Sequence, residues 1–147
     1  KEIVQIRNPD ATRPWQHVLE PLAGYLLLGK ILKNEKKING EAFNFGPKKE
    51  NNFSVRELLK EMQKHWPDVT WKDLSHADKE IYEAKLLRLN CKKAEKILNW
   101  KPILSFNETA KITVDWYKRF YDNEDMLNIS LDQIKTYSEL LKNRNQD

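Results

Sequence analysis

The sequence predicts an α/β fold that is rich in helix, with a few short strands and too few of them for a complete doubly wound sheet. Two observations carry this. Three Ser-x-x-Glu/Gln capping boxes, at Ser54/Glu57, Ser105/Glu108 and Ser130/Gln133, each precede apolar residues spaced by three and four. Between the helical stretches lie short apolar runs bounded by Asn, Gly and Pro, which read as strands.

In chain order, residues 2–7 alternate around Ile3, Val4 and Ile6, and Asn8-Pro9-Asp10 ends that strand with turn chemistry. Arg13, Trp15 and His17 then alternate, a spacing that sets three side chains on one side of an extended segment. Glu20 reads as an N-cap and Pro21 as the first helical residue, where its missing N–H costs nothing. Leu22, Tyr25, Leu26, Gly29 and Leu32 follow at helical spacing and predict one broad buried face.

Asn39-Gly40 marks a turn, and Ala42, Phe43 and Phe45 form a buried strand stopped by Gly46-Pro47. Residues 48–52 are a polar loop. A helix capped by Ser54 carries Val55, Leu58, Leu59, Met62 and Trp66, and Pro67-Asp68 breaks it. Residues 69–74 are β-prone through Val69, Thr70 and Trp71. Residues 75–82 are polar and irregular. Leu86, Leu87 and Leu89 read as a strand, with Asn90 capping a helix that runs to Leu98. Behind Ser105 come Thr109, Ile112, Thr113, Trp116 and Phe120, and behind Ser130 come Ile134, Tyr137 and Leu141. Tyr25, Trp66, Trp100 and Trp116 are assigned to the core. Trp15 is a core anchor or a stacking platform, Arg13 is a ligand cation or a partner of Glu20 or another carboxylate, and Asn44 is expected to stabilise its own turn.

Composition limits the function. With 147 residues the chain is read as one domain, long enough to bury its own core. The longest apolar run, at 25–28, is far too short to cross a bilayer, so no membrane partner is expected. The single Cys91 makes no internal disulfide, and a reducing, cytoplasmic compartment is expected. The net charge of +4 comes from cations scattered among 22 acids with no dense basic block, which argues against nucleic acid and for a small phosphorylated ligand. His17, His65 and His76 are far apart, so no metal site is expected. Glycines at 24, 29, 40 and 46 make neither a dinucleotide fingerprint nor a P-loop, because Ile31 stands where the latter needs a hydroxyl. No Tyr-x-x-x-Lys pair occurs.

Three stretches carry a resemblance. Arg13-Pro-Trp-Gln-His-Val-Leu-Glu-Pro-Leu-Ala-Gly-Tyr-Leu, then Phe43-Asn-Phe-Gly-Pro, then Glu83-Ala-Lys-Leu-Leu-Arg-Leu-Asn-Cys-Lys-Lys-Ala with Asn99-Trp-Lys-Pro, resemble the nucleotide-sugar 4,6-dehydratases of the extended short-chain dehydrogenase/reductase family. The resemblance covers nearly the whole chain and implies that residues 1–147 are the carboxyl-terminal substrate-binding portion of such an enzyme. The amino-terminal Rossmann half, with NAD and the catalytic Tyr-x-x-x-Lys pair, is then a missing partner. No cofactor and no catalytic residue is expected within the chain itself, so the isolated fragment is expected to be an inactive part of a lyase.

By the same resemblance the ligand is a nucleotide-diphosphate sugar, CDP-glucose first, and Arg13 grips its diphosphate, for which a planar guanidinium is suited. Asn51, Glu83 and Lys85 would line the nucleotide end. The parent enzyme is expected to be a homo-oligomer serving surface lipopolysaccharide synthesis, and the cut chain is expected to expose apolar surface and self-associate. Two departures from the family pattern stand out: Tyr82-Glu83-Ala84 replaces His-Glu-Ala, and Leu89-Asn90-Cys91 replaces Leu-Asp-Cys. Another nucleotide-sugar dehydratase or epimerase, or a free-standing nucleotide-sugar-binding or scaffold domain, remains open on these residues.

Overall fold

The computed structural model describes residues 2–48, 51–75 and 87–144. Its elements run β1 (Val4–Ile6), β2 (Thr12–Arg13), α1 (Leu19–Leu32), a single 3-10 turn (Lys36–Ile38), β3 (Phe53–Ser54), α2 (Val55–His65), β4 (Trp71–Asp73), α3 (Lys92–Leu98), α4 (Phe106–Tyr121) and α5 (Met126–Arg144). The fold is mixed α/β and helix-rich. Among the described residues the strands form only two pairs, β1 parallel to β4 and β2 antiparallel to β3.

The first two capping boxes form as their spacing dictates. Ser54 and Ser105 each accept the backbone N–H of the glutamate three residues on, and that glutamate reaches back to the serine N–H. The third does not form. Asp125 already accepts the N–H groups of Leu127 and Asn128 at 3.0 and 3.3 Å, so α5 begins five residues earlier and Ser130 lies inside it. Its hydroxyl donates instead to the Met126 carbonyl at 2.7 Å.

Helix α1 also starts differently from its sequence reading. Val18 is the terminal residue and offers no side-chain cap, while the His17 imidazole accepts the Leu19 N–H at 3.3 Å. Pro21 falls third in the helix, still among the four residues whose N–H has no helical partner. Glu20 is turned inward and is only 1% exposed. The face α1 buries holds Leu27, Leu28, Ile31 and Leu32, packed against Ile38, Phe45, Cys91, Ala94, Leu98 and Trp100. Leu19 and Ala23 pack on a second cluster of Ile103, Leu104 and Tyr137. Tyr25, assigned to the core by periodicity, is exposed along with Leu22 and Leu26. Apart from Glu20 and Lys30 the helix carries no charge, so spacing alone could not choose between two apolar faces.

The strand read at 42–45 does not form, because no described strand runs beside it. Leu87 and Leu89 are likewise in no strand, and Leu86 lies outside the described residues, as does nearly all of the segment at 75–82. Asn90 stands one residue before the α3 N-cap, Cys91, yet still accepts the Lys92 N–H at 3.1 Å. Asn44 reaches across to the Asn90 carbonyl rather than to its own turn. Trp100 is in the core, whereas Trp66 and Trp116 are half-buried. No described helix is long and apolar enough to cross a membrane.

Candidate functional site

The β2–β3 pairing sets Arg13 opposite Phe53 and Thr12 opposite Ser54. Just after it the Trp15 N–H closes on the Arg13 carbonyl at 2.9 Å, a three-residue turn centred on Pro14. That turn ends the extended run, so Arg13, Trp15 and His17 do not continue the alternation their spacing suggested. The Trp15 indole donates to the Phe53 carbonyl at 2.8 Å, which ties it to β3 as an anchor. The half-buried Arg13 guanidinium donates to the Thr12 carbonyl at 2.8 Å. It does not pair with Glu20, whose oxygens accept the Ile103 and Leu104 N–H groups at 2.9 and 2.6 Å and the Tyr137 hydroxyl at 3.0 Å.

The turn at Pro14 faces a notch of about 30 Å³ lined by Pro14, Pro47, Lys48, Asn51, Arg88 and their neighbours. Asn51 is held there by its N–H, which donates to the Lys48 carbonyl at 2.9 Å. Asn51 thus lines the notch, whereas Arg13, the residue before Pro14, is not among its lining residues. Glu83 and Lys85 lie outside the described residues, as does the Tyr82-Glu83-Ala84 departure. Sequence reasoning did not single out Lys48 or Arg88. Two ammonium- and guanidinium-bearing side chains beside two amides, Asn51 and Asn52, suit an oxyanion. The notch holds little more than a water or two, so it is one wall of a ligand site and not an enclosure.

A larger hollow of about 450 Å³ lies between the start of α1 and helices α4 and α5, lined by His17, Val18, Trp116, Tyr117 and Ile134 among others. Several of its polar groups are committed, while the buried Gln16 Oε1 has no hydrogen-bond partner among the described residues. The Trp116 indole donates to Ser130 at 3.0 Å, Gln133 to the Ile112 carbonyl at 3.0 Å, and Thr113 to the Thr109 carbonyl at 2.8 Å. Burial pushes the His17 imidazole below its ordinary pKa. Because its Nδ1 accepts from the backbone, the neutral ring carries its proton on Nε2.

A nicotinamide dinucleotide needs backbone that can approach a pyrophosphate at a strand-to-helix turn. The four glycines do not provide this. Gly24 lies inside α1 against the Phe45 ring, Gly29 is on the same helix, Gly40 serves a turn at φ +80°, and Gly46 packs on Leu89 and Cys91. Among the described residues none of the glycines supplies such an approach. Among the described residues no cluster of His, Cys, Asp or Glu could hold a metal ion.

Taken together, these features describe a helix-rich α/β chain with a notch lined by Lys48, Arg88 and two amides, a lining suited to an anionic ligand. Over 135 residues the chain is 39% identical to the CDP-glucose 4,6-dehydratase of Salmonella typhimurium (strain LT2). That match takes in 91% of this chain and 37% of the relative, and falls on the relative's carboxyl-terminal portion. No protein-family model matches the chain.

Proposed function

We propose that the chain is the substrate-binding portion of an NAD-dependent nucleotide-sugar 4,6-dehydratase of the extended short-chain dehydrogenase/reductase family, acting on CDP-glucose to give CDP-4-keto-6-deoxyglucose. The observation that carries this is the 39% identity to CDP-glucose 4,6-dehydratase, sustained over 91% of the chain. The notch lined by Lys48, Asn51, Asn52 and Arg88 is consistent with it, because a diphosphate needs cations and amides on one wall. In this reading Arg13 grips the diphosphate, and Asn51, Glu83 and Lys85 line the nucleotide end. The cofactor and the acid–base pair belong to polypeptide outside these residues, so the chain alone performs no dehydration.

Calorimetric titration of the protein with CDP-, dTDP-, GDP- and UDP-glucose tests the reading. CDP-glucose should bind tightest. Arg13→Ala should weaken it by about 10- to 150-fold, the loss of one charge-assisted contact of about 1.5–3 kcal/mol. Tighter binding of another nucleotide would move the chain to a different dehydratase or epimerase. Unchanged affinity in Arg13→Ala would remove the arginine from the site.

A further inference from the structure

The run 13–16 holds two residues that the proposed ligand contacts do not use, Trp15 and Gln16. Both reach across the chain to one segment. Gln16 Nε2 donates to the Phe45 carbonyl at 2.9 Å, and the Trp15 indole donates to the Phe53 carbonyl at 2.8 Å. Two adjacent side chains therefore hold the two ends of the stretch that supplies Lys48, Asn51 and Asn52 to the notch. The turn at Pro14, closed by the Trp15 N–H on the Arg13 carbonyl, fixes the point from which both side chains reach. The pairing of Arg13 with Phe53 holds the far end a second time. The Gln16 Oε1 meets no partner among the described residues, a buried acceptor whose cost the grip on Phe45 has to offset.

We propose that Trp15 and Gln16 act as a pair of positioning residues: they pin both ends of the stretch between Phe45 and Phe53 and so preset Lys48, Asn51 and Asn52 for an anionic ligand. Neither side chain lines the notch, so both act through the residues they hold.

Two physical points support the pairing. A loop with both ends fixed has already lost much of the freedom that ligand binding would otherwise remove, so pinning lowers the cost of ordering its cation and amides. One grip alone does not achieve this, because a stretch held at one end still moves at the other. The two carbonyls keep a fixed separation only while neighbouring residues hold both. The opposite wall of the notch is tied separately, through Asn44 Nδ2, which donates to the Asn90 carbonyl at 3.4 Å. Trp15 and Gln16 therefore govern the wall that carries Lys48, Asn51 and Asn52, not the one that carries Arg88.

The identity of the ligand rests on the nucleotide-sugar reading, whereas the hold on the stretch does not. Trp15→Phe and Gln16→Met each remove one donor while keeping most of the side-chain volume. In each variant, amide exchange at Asn51, read by NMR, should speed up by about 10-fold, and the dissociation constant for CDP-glucose should rise by about 10-fold. The double variant should bind no more than about twofold worse than either single one, since one lost grip already frees the stretch. Asp125→Ala serves as the control, because it removes the cap of α5 and lowers the melting temperature but should move neither reading. Losses that multiply in the double variant would make the two contacts independent and overturn the proposal. So would unchanged Asn51 exchange in both single variants, or an equal speeding in Asp125→Ala. If the unaltered chain binds none of the four nucleotide sugars while the exchange differences stand, the dehydratase reading falls and the positioning pair does not.

Discussion

Glu20 sits in the first turn of α1 with both carboxylate oxygens taken by three donors from distant parts of the chain. Burial pushes its pKa up, and the hydrogen bonds from Leu104, Tyr137 and Ile103 oppose that push. The buried Tyr137 hydroxyl is in turn raised by desolvation and by the adjacent carboxylate. Glu20→Gln keeps an acceptor for the two N–H groups, and its amide can donate to the Tyr137 oxygen, so it should cost less than about 1 kcal/mol in urea unfolding. Glu20→Ala leaves three buried donors unmet and should cost about 3 kcal/mol or more. The sequence could not disclose this role, because Glu-Pro at a helix start looks the same whether the carboxylate caps its own helix or crosses to Ile103. Arg13 was singled out through the motif that contains it, and Asn51 only as part of the loop that follows Phe43-Asn-Phe-Gly-Pro. Lys48 and Arg88 were not singled out, although Arg88 lies within the third motif, since one cation among 26 carries no mark until the chain folds.

Within α1 two glycines should respond oppositely to the same change. A Cβ on Gly24 would come within 2.4 Å of the Phe45 ring, which is itself wedged edge-on between Tyr25 and Trp100. Gly24→Ala should therefore destabilise by about 1–3 kcal/mol. A Cβ on Gly29 meets nothing within 4 Å, so Gly29→Ala should stabilise by up to about 1 kcal/mol through helix propensity. Thermal melts of both variants decide the matter. Ser105→Ala should cost about 1 kcal/mol by removing a cap. The helices with real capping boxes were legible because both partners lie three residues apart. Ser130/Gln133 has the same spacing but fails because Asp125 has already begun the helix. Strands β2 and β3 are two residues each and exist only through pairing across some forty positions, which no local pattern announces.

Over the whole molecule, ion pairs that join distant segments set the response to acid. Arg144 of α5 binds Glu108 at the start of α4 at 2.7 Å and also donates to the Ile103 carbonyl, and the arginine leads the effects that hold Glu108 at a pKa of about 2. Asp73 of β4 is held at about 2 by Ser75 and then by Arg56, which also bridges to Asp10. Both carboxylates lie below their ordinary values of 4.5 and 3.8, so the unfolded chain binds more protons in that range. Their stabilisation is present above those values and is lost as pH falls toward about 2. His17 adds a loss beginning nearer 6.5, because its lowered folded pKa makes the unfolded state the better proton acceptor. Glu20 acts in the opposite sense, its raised pKa contributing stability at low pH that disappears as pH rises through the folded value. Calorimetric melts should thus show stability declining gently below about pH 6.5 and more steeply below about 4.5. Arg144→Gln should flatten the steep limb, and half-molar salt should flatten it in part, since both members of the Glu108 pair are more than a third exposed. An unaltered acid limb in Arg144→Gln would mean that the clamp between α4 and α5 does not govern acid unfolding.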